Sequence, residues 1–370
     1  MSTKQPLLQS IKIGDLELKN RVVMAPMTRS RATNDHQAPE AKHIEYYTQR
    51  AGAGLIITEG SEISKRSRGY TYVAGIFNEH QVAGWKKVVK SVHDAGGKIF
   101  IQLWHVGRNS LPVYHEDGQP WAPSAINPEI DMVGPDGKQH KTVTPHAMTV
   151  EEIQQTVKEF GQAAANAKEA GFDGIEIHSS NGYLLHQFFN NNSNTRTDEY
   201  GGSHENKARI FFEVIEEIKK HWPENRIACR LNPSLNKVFG LEGTPDSIPF
   251  FDYLINRLND YDLAYLHLSE PFTDVSDIEF LVEDIAKHYR PIYKGNLMIN
   301  NQFDRESGNK VIEEGNADLV AFGKLFISNP DLAHRFELKA ETADWDNDTF
   351  YSQGREGYTD YPTLEEEKAH

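Results

Sequence analysis

The chain has one cysteine, Cys229, in 370 residues. A lone thiol excludes an internal disulfide and any metal cluster built from several cysteines. No apolar run approaches the roughly 18–20 residues that a membrane-spanning helix needs. Positive charge is scarce: 39 Lys and Arg stand against 54 Asp and Glu, giving a net charge of −15. Nucleic acid and anionic membranes repel such a chain, although a local cluster of Lys and Arg still suffices for a small anionic cofactor. The opening residues, Met1-Ser2-Thr3-Lys4-Gln5-Pro6, lack the apolar centre of a secretory signal, so a cytoplasmic protein is expected. Early Gly-x-Gly-x-x-Gly, low-complexity tracts and long internal repeats are also missing. The 16 histidines include no His-x-His at the first strand, and the strand ends lack the carboxylates of a metallohydrolase, so no metal is expected.

What is present is a steady alternation. Short apolar runs at 21–27, 55–61, 98–104, 174–178, 227–232, 264–269, 297–301 and 319–323 read as strands buried on both faces. Between and after them, amphipathic segments at 40–50, 79–94, 151–170, 206–221, 249–258, 277–289, 306–314 and 330–338 read as helices. Thr149 and Glu152 form a capping box before the third, and Gly171 stops it. Eight strand–helix units fit a single-domain (β/α)8 barrel. A doubly wound sheet is the alternative, since alternation alone does not prove closure. Residues 105–148 form an insertion after the third strand, with turn signals that predict a β-hairpin flap over the barrel mouth. Residues 339–370 form a polar, Tyr-rich tail.

In such a barrel, chemistry collects where the strands end. The fourth strand runs into His178-Ser179-Ser180-Asn181-Gly182-Tyr183. His178 and Asn181 are three apart, so one helical turn brings two N–H donors to a point, as an oxygen gaining negative charge requires. Tyr183 adds a phenolic proton, with an ordinary pKa of about 10, suited to a strong carbanion base. Taken alone, His178 is more often a core histidine; the Asn and Tyr beside it reverse that balance. Other strand ends supply Thr28, Gln102 and Arg230 for the edge of a flat heteroaromatic ring. Asn301-Gln302 and Gly323-Lys324 supply backbone N–H groups and an ammonium for a phosphate. A ring with one phosphate points to FMN. Bland alternatives remain: Arg230 pairing with Glu176, Lys324 as a solvated charge, Trp104 and Tyr351 as packing. Cys229 reads as an inert buried thiol facing away from the side that Arg230 occupies.

These residues resemble the Old Yellow Enzymes, FMN-dependent ene-reductases, over nearly the whole chain. The shared stretches include Asn20-Arg21-Val22-Val23-Met24-Ala25-Pro26-Met27-Thr28-Arg29, Gln102-Leu103-Trp104-His105-Val106-Gly107-Arg108, the run from His178 to Phe188, and Phe322-Gly323-Lys324-Leu325-Phe326. Thr28 places the chain with the Thr-bearing subgroup.

The resemblance implies non-covalent FMN contacted by Pro26, Met27, Thr28, Gly60, Gln102 and Arg230, with its phosphate held by Asn301, Gln302, Gly323 and Lys324. It implies that His178 and Asn181 bind the substrate oxygen, that Tyr183 is the proton donor, and that Tyr70, Trp104 and Tyr351 shape the substrate pocket. NADPH or NADH is the implied electron source. Enones, enals, maleimides and nitroalkenes are the implied substrates, with nitrate esters or nitroaromatics as further acceptors. The chain departs from the family where relatives carry Gly-Gly at Asn301-Gln302, Arg at Lys324 and a second His at Asn181. Monomer and homodimer stay open. So do a different FMN-barrel oxidation or demethylation and a non-catalytic ligand-binding role.

Overall fold

The barrel strands alternate their side chains between the barrel interior and the layer under the helices. The computed structural model describes residues 5–369; the leader reading at Met1 to Lys4 falls outside the described residues, as does His370. Eight parallel strands form a closed barrel: β1 (Val22–Met24), β2 (Leu55–Glu62), β3 (Ile99–Trp104), β4 (Gly174–His178), β5 (Ile227–Leu231), β6 (Tyr265–Ser269), β7 (Leu297–Asn300) and β8 (Leu319–Phe322). Val320 pairs with Val22, so the last strand closes on the first. In β2, Leu55 and Ile57 point into the barrel while Ile56 joins the layer under the helices. The (β/α)8 expectation holds, and the doubly wound alternative is excluded by closure.

The lower barrel is filled by Val23, Leu55, Ile57, Phe100, Ala228, Tyr265, Met298 and Leu319. An N-terminal hairpin, Ile11–Ile13 with Leu16–Leu18, plugs the bottom and adds Ile13, Leu16 and Leu18 to that cluster. Its signal in the sequence is the alternation of apolar residues around Gly14-Asp15. Gly14 turns it at φ 53°.

The main helices are α1 (Ala41–Gln49), α2 (Glu79–Asp94), α3 (Val150–Ala170), α4 (His204–Lys219), α5 (Ser247–Arg257), α6 (Ile285–Tyr289), α7 (Arg305–Glu313) and α8 (Leu332–Leu338). Thr149 caps α3 by accepting from the Glu152 N–H, and Gly171 ends it at φ 88°. Most boundaries shift by one or two residues, and two shift by more. β1 ends at Met24 because Pro26 has no N–H to give a neighbouring strand. α6 spans five residues, where the sequence reading gave thirteen at 277–289. Its start is fixed by two carboxylates: Glu270 accepts from the Ile285 and Ala286 N–H groups, and Asp284 accepts from Lys287.

Two excursions reach the barrel mouth. The segment after β3 carries an antiparallel hairpin, Asp131–Val133 with Gln139–Lys141. The C-terminal tail is tied down by buried arginines. Arg29 donates to the carbonyls of Phe350 and Gly357, and Arg31 to those of Thr349, Phe350 and Glu356. Tyr358 stacks on Tyr46 with centroids 4.0 Å apart. Among the described residues, no helix is long and apolar enough to cross a membrane.

Candidate active site

The upper barrel interior turns polar, because β3, β4, β5 and β6 point Gln102, Glu176, Arg230 and His267 inward above the apolar layer. Glu176 is fully buried and accepts from the Gln102 amide (2.8 Å), the Tyr265 hydroxyl (3.1 Å) and His267 Nδ1 (2.9 Å). Burial raises its pKa, but these donors and the nearby Arg230 charge outweigh that and hold it below the usual carboxylate range. Arg230 does not pair with Glu176; it donates to Ser269 Oγ at 3.3 Å, and its buried Nε has no partner among the described residues. Cys229, next in the strand, packs in the outer layer, and burial raises its thiol pKa. The sequence reading missed Tyr265 and His267, although Tyr-Leu-His-Leu-Ser shows the period of two that would have revealed an inward polar row.

Above this floor lies a cavity of about 750 Å³. Pro26, Met27, Thr28, Gly60, Gln102, Arg230, Gly323 and Lys324 line it, together with Tyr70, Trp104, His178, Asn181, Tyr183 and Tyr351. Gly60 is required by contact: a Cβ there would lie 2.7 Å from the Trp104 ring. Tyr351, on the tail, is 66% exposed at the mouth. Met132, Val133 and Pro135 of the flap hairpin also line the cavity, as does Phe239.

Asn301 and Gln302 do not line this cavity. They face an adjoining groove with Glu270, Asp284 and Lys310. Both backbones are left-handed, at φ 83° and 62°, and the Asn301 amide donates to the carbonyls of Glu270 (3.2 Å) and Pro271 (2.7 Å). Their side chains are thus turned away from the cavity, and only backbone N–H groups remain for the phosphate role. Lys324 makes no ion pair among the described residues; its ammonium lies 5.4 Å from the centroid of the Trp345 ring.

One wall is aromatic. Trp104 lies nearly parallel to Tyr70 (centroids 5.4 Å, 17°) and to His178 (5.9 Å, 15°), and edge-on to Tyr183 (4.9 Å, 83°). The approach of His178 and Asn181 is not by a helical turn. Asn181 and Gly182 are left-handed, at φ 56° and 80°, and helix starts only at Leu184. The Gly182 carbonyl is pinned by Asn109 (2.9 Å) and Gln187 (2.8 Å). The Asn232 side-chain amide donates to Asn181 Oδ1 at 3.4 Å, which leaves the Asn181 side-chain N–H groups to donate elsewhere.

Burial, reinforced by Arg230, holds the His178 pKa well below 6.5, so the imidazole is neutral. Its Nδ1 faces the Ser180 backbone nitrogen (3.4 Å) and Oγ (3.3 Å); with the backbone N–H donating to Nδ1, the proton sits on Nε2. Burial and Tyr70 push the Tyr183 phenol well above 10, so it stays protonated. The wall therefore presents neutral N–H donors and two phenols, Tyr183 and Tyr70.

The residues fit FMN. The cavity is large enough for a flat ring, Arg230 Nε is buried without a partner among the described residues, and Lys324 offers a cation with no carboxylate partner among them. Gln102, its amide N–H given to Glu176, keeps a carbonyl oxygen as an acceptor.

Comparison with known proteins agrees with this geometry. A model of the NADH:flavin oxidoreductase / NADH oxidase family matches residues 6–343. The chain is 42% identical over 368 residues to a putative 12-oxophytodienoate reductase 5 of Oryza sativa subsp. japonica, covering 98% of this chain and 96% of that protein. Among solved structures, morphinone reductase superposes with a TM-score of 0.91 at 42% identity, covering 99% of this chain and 98% of that one. An Old Yellow Enzyme homologue from Zymomonas mobilis superposes with a TM-score of 0.90 at 38% identity, covering 97% and 99%. Another morphinone reductase structure is a complex with tetrahydroNAD. On the fold, the site and these likenesses, the chain belongs to the NADH:flavin oxidoreductase family and is an oxidoreductase of the Old Yellow Enzyme type.

Proposed function

We propose that the protein reduces activated alkenes (enones, enals, maleimides and nitroalkenes) with NADH or NADPH as electron source and non-covalently bound FMN as carrier. FMN, when bound, supplies hydride to the alkene β-carbon. Pro26, Met27, Thr28, Gly60, Gln102 and Arg230 surround the ring; Gly323 and Lys324, with the Asn301 and Gln302 backbone, hold the phosphate. The whole chain acts as one domain, with the hairpin within 105–148 as a flap and residues 339–370 closing the rim.

His178 Nε2 and the Asn181 amide bind the substrate oxygen and stabilise the negative charge it gains. Being neutral, His178 polarises this oxygen without giving up its own proton. Tyr183 holds its proton until a carbanion-like α-carbon forms, then transfers it. Trp104 and Tyr70 cover this wall and keep water from competing for the α-carbon.

The observation that carries the reading is the grouping of neutral His178 and protonated Tyr183 around Trp104 on one cavity wall. Tyr183→Phe tests it. The variant should lose about 10²–10⁴-fold in alkene reduction, while its reduction by the nicotinamide stays within a few-fold. Equal loss in both half-reactions contradicts the assignment. Nitrate esters and nitroaromatics take electrons without protonation at carbon, so they should remain acceptors for this variant.

A further inference from the structure

Among the described residues, the Tyr183 hydroxyl has one polar partner, the Tyr70 hydroxyl at 3.1 Å. A phenol has one proton and two lone pairs. When Tyr183 aims its proton at a substrate carbon, the contact with Tyr70 is satisfied only if Tyr70 donates. Tyr70 is built to stay in place: its ring stacks on Trp104 and meets Tyr183 edge-on, centroids 6.3 Å apart and planes at 81°. It is also partly exposed, whereas Tyr183 is 8% exposed. Tyr70 is thus the next proton-bearing group between Tyr183 and solvent.

Resting on the assignment of Tyr183 as proton donor, we propose that Tyr70 is a positioning and resupply residue. Its O–H donates to the Tyr183 oxygen, turns the Tyr183 proton toward the substrate, and then replaces that proton. In the first step the Tyr183 O–H bond breaks and a C–H bond forms at the α-carbon. The electron pair of the broken bond stays on Tyr183 as a phenolate, which the Tyr70 O–H stabilises. The Tyr70 proton then crosses to Tyr183, and water reprotonates Tyr70. No oxidant or reductant enters these proton steps.

The test compares Tyr70→Phe, Tyr183→Phe and the double variant as FMN-loaded enzymes. Single-turnover reoxidation is followed with 2-cyclohexenone, and with a quinone, which needs no proton at carbon. Tyr70→Phe should slow the enone step about 10- to 100-fold, the size of a hydrogen bond to a charged group. The quinone step should slow less, so that the enone-to-quinone rate ratio falls about 10-fold or more, and the bound-flavin spectrum reports that the variant is folded and loaded. In the Tyr183→Phe background, Tyr70→Phe should add nothing, because the group it serves is gone. Equal slowing of enone and quinone, or full additivity in the double variant, overturns the proposal in favour of a packing role. An unchanged enone rate in Tyr70→Phe overturns it as well. An unchanged enone rate in Tyr183→Phe alone is a different failure, since it removes the proton-donor assignment on which the proposal stands.

Discussion

Gln102 donates to Glu176 at 2.8 Å across neighbouring strands, at the point where the barrel changes from apolar to polar. This bond orients the amide that faces the cavity. Glu176 also balances Arg230, whose charge lies in the same dry layer. Replacing Glu176 by Gln removes that counter-charge and sets an amide against three donors. Breaking such a buried arrangement costs about 3–5 kcal/mol. Glu176→Gln should therefore unfold at markedly lower denaturant than the parent and bind FMN more weakly. A midpoint equal to the parent's contradicts this account of the barrel floor.

Loss of an oxyanion donor costs about 10²–10³-fold in rate. His178→Ala and Asn181→Ala should each lower kcat/KM for an enone on that scale, while leaving the flavin spectrum in place. Because His178 is neutral when buried, the enone profile should show no histidine inflection between pH 6 and 8. A break near pH 6.5 that vanishes in His178→Ala would mean that imidazolium, not imidazole, binds the oxygen.

The loop after β7 carries strain that its sequence does not relieve. Gln302 sits at φ 62°, where an ordinary side chain costs about 1–2 kcal/mol. Gln302→Gly should raise stability by about 1 kcal/mol, less the entropy cost of glycine. Asn301→Gly should give no such gain, because Asn tolerates φ 83° and its amide ties two loops through the Glu270 and Pro271 carbonyls. Thermal unfolding of the two variants side by side decides this. Lys324→Ala should also lose flavin on gel filtration, while Lys324→Arg should retain at least as much as the parent, since its fork grips phosphate at two points.

Six buried histidines set the acid limb of stability; one of them, His267, is lowered by burial against the opposing pull of Glu176. Burial lowers His43, His105 and His186 to about 3, His115 to about 4, and His178 well below its ordinary 6.5. Below pH 6.5 the unfolded chain gains these protons and the folded chain does not, so stability falls with pH. Three buried carboxyls, Glu59, Glu62 and Glu270, oppose this. Burial raises each from 4.5 to about 7, so between those values the folded chain holds the extra proton, and their contribution is lost as pH rises through 7. Six groups outweigh three. The melting temperature should peak near pH 6.5–7, fall toward pH 4.5, and fall more steeply below it, where the carboxyls no longer compensate. A melting temperature that rises from pH 6.5 to 4.5 contradicts the assignments.

The barrel was legible because its signals are local. Apolar runs mark the strands, and the Thr149–Glu152 box and Gly171 mark one helix end to the residue. The shortened α6 was not legible, since Glu270 caps it from fifteen residues away. The groove that Asn301 and Gln302 line was hidden for a similar reason. Their left-handed backbone turns the side chains into a neighbouring groove, and nothing in Asn-Asn-Gln announces that turn. His178, Asn181 and Tyr183 stood out as polar residues at a strand end, and all three line the cavity, yet the chain between them makes a left-handed turn rather than a helical one.

An anaerobic visible spectrum of the purified protein, first with NADH or NADPH and then with 2-cyclohexenone, tests the central claim most directly. The flavin bands should bleach with the nicotinamide and return with the enone. A flavin that bleaches and then stays reduced in the presence of enones, maleimides and nitroalkenes would contradict the proposed reaction.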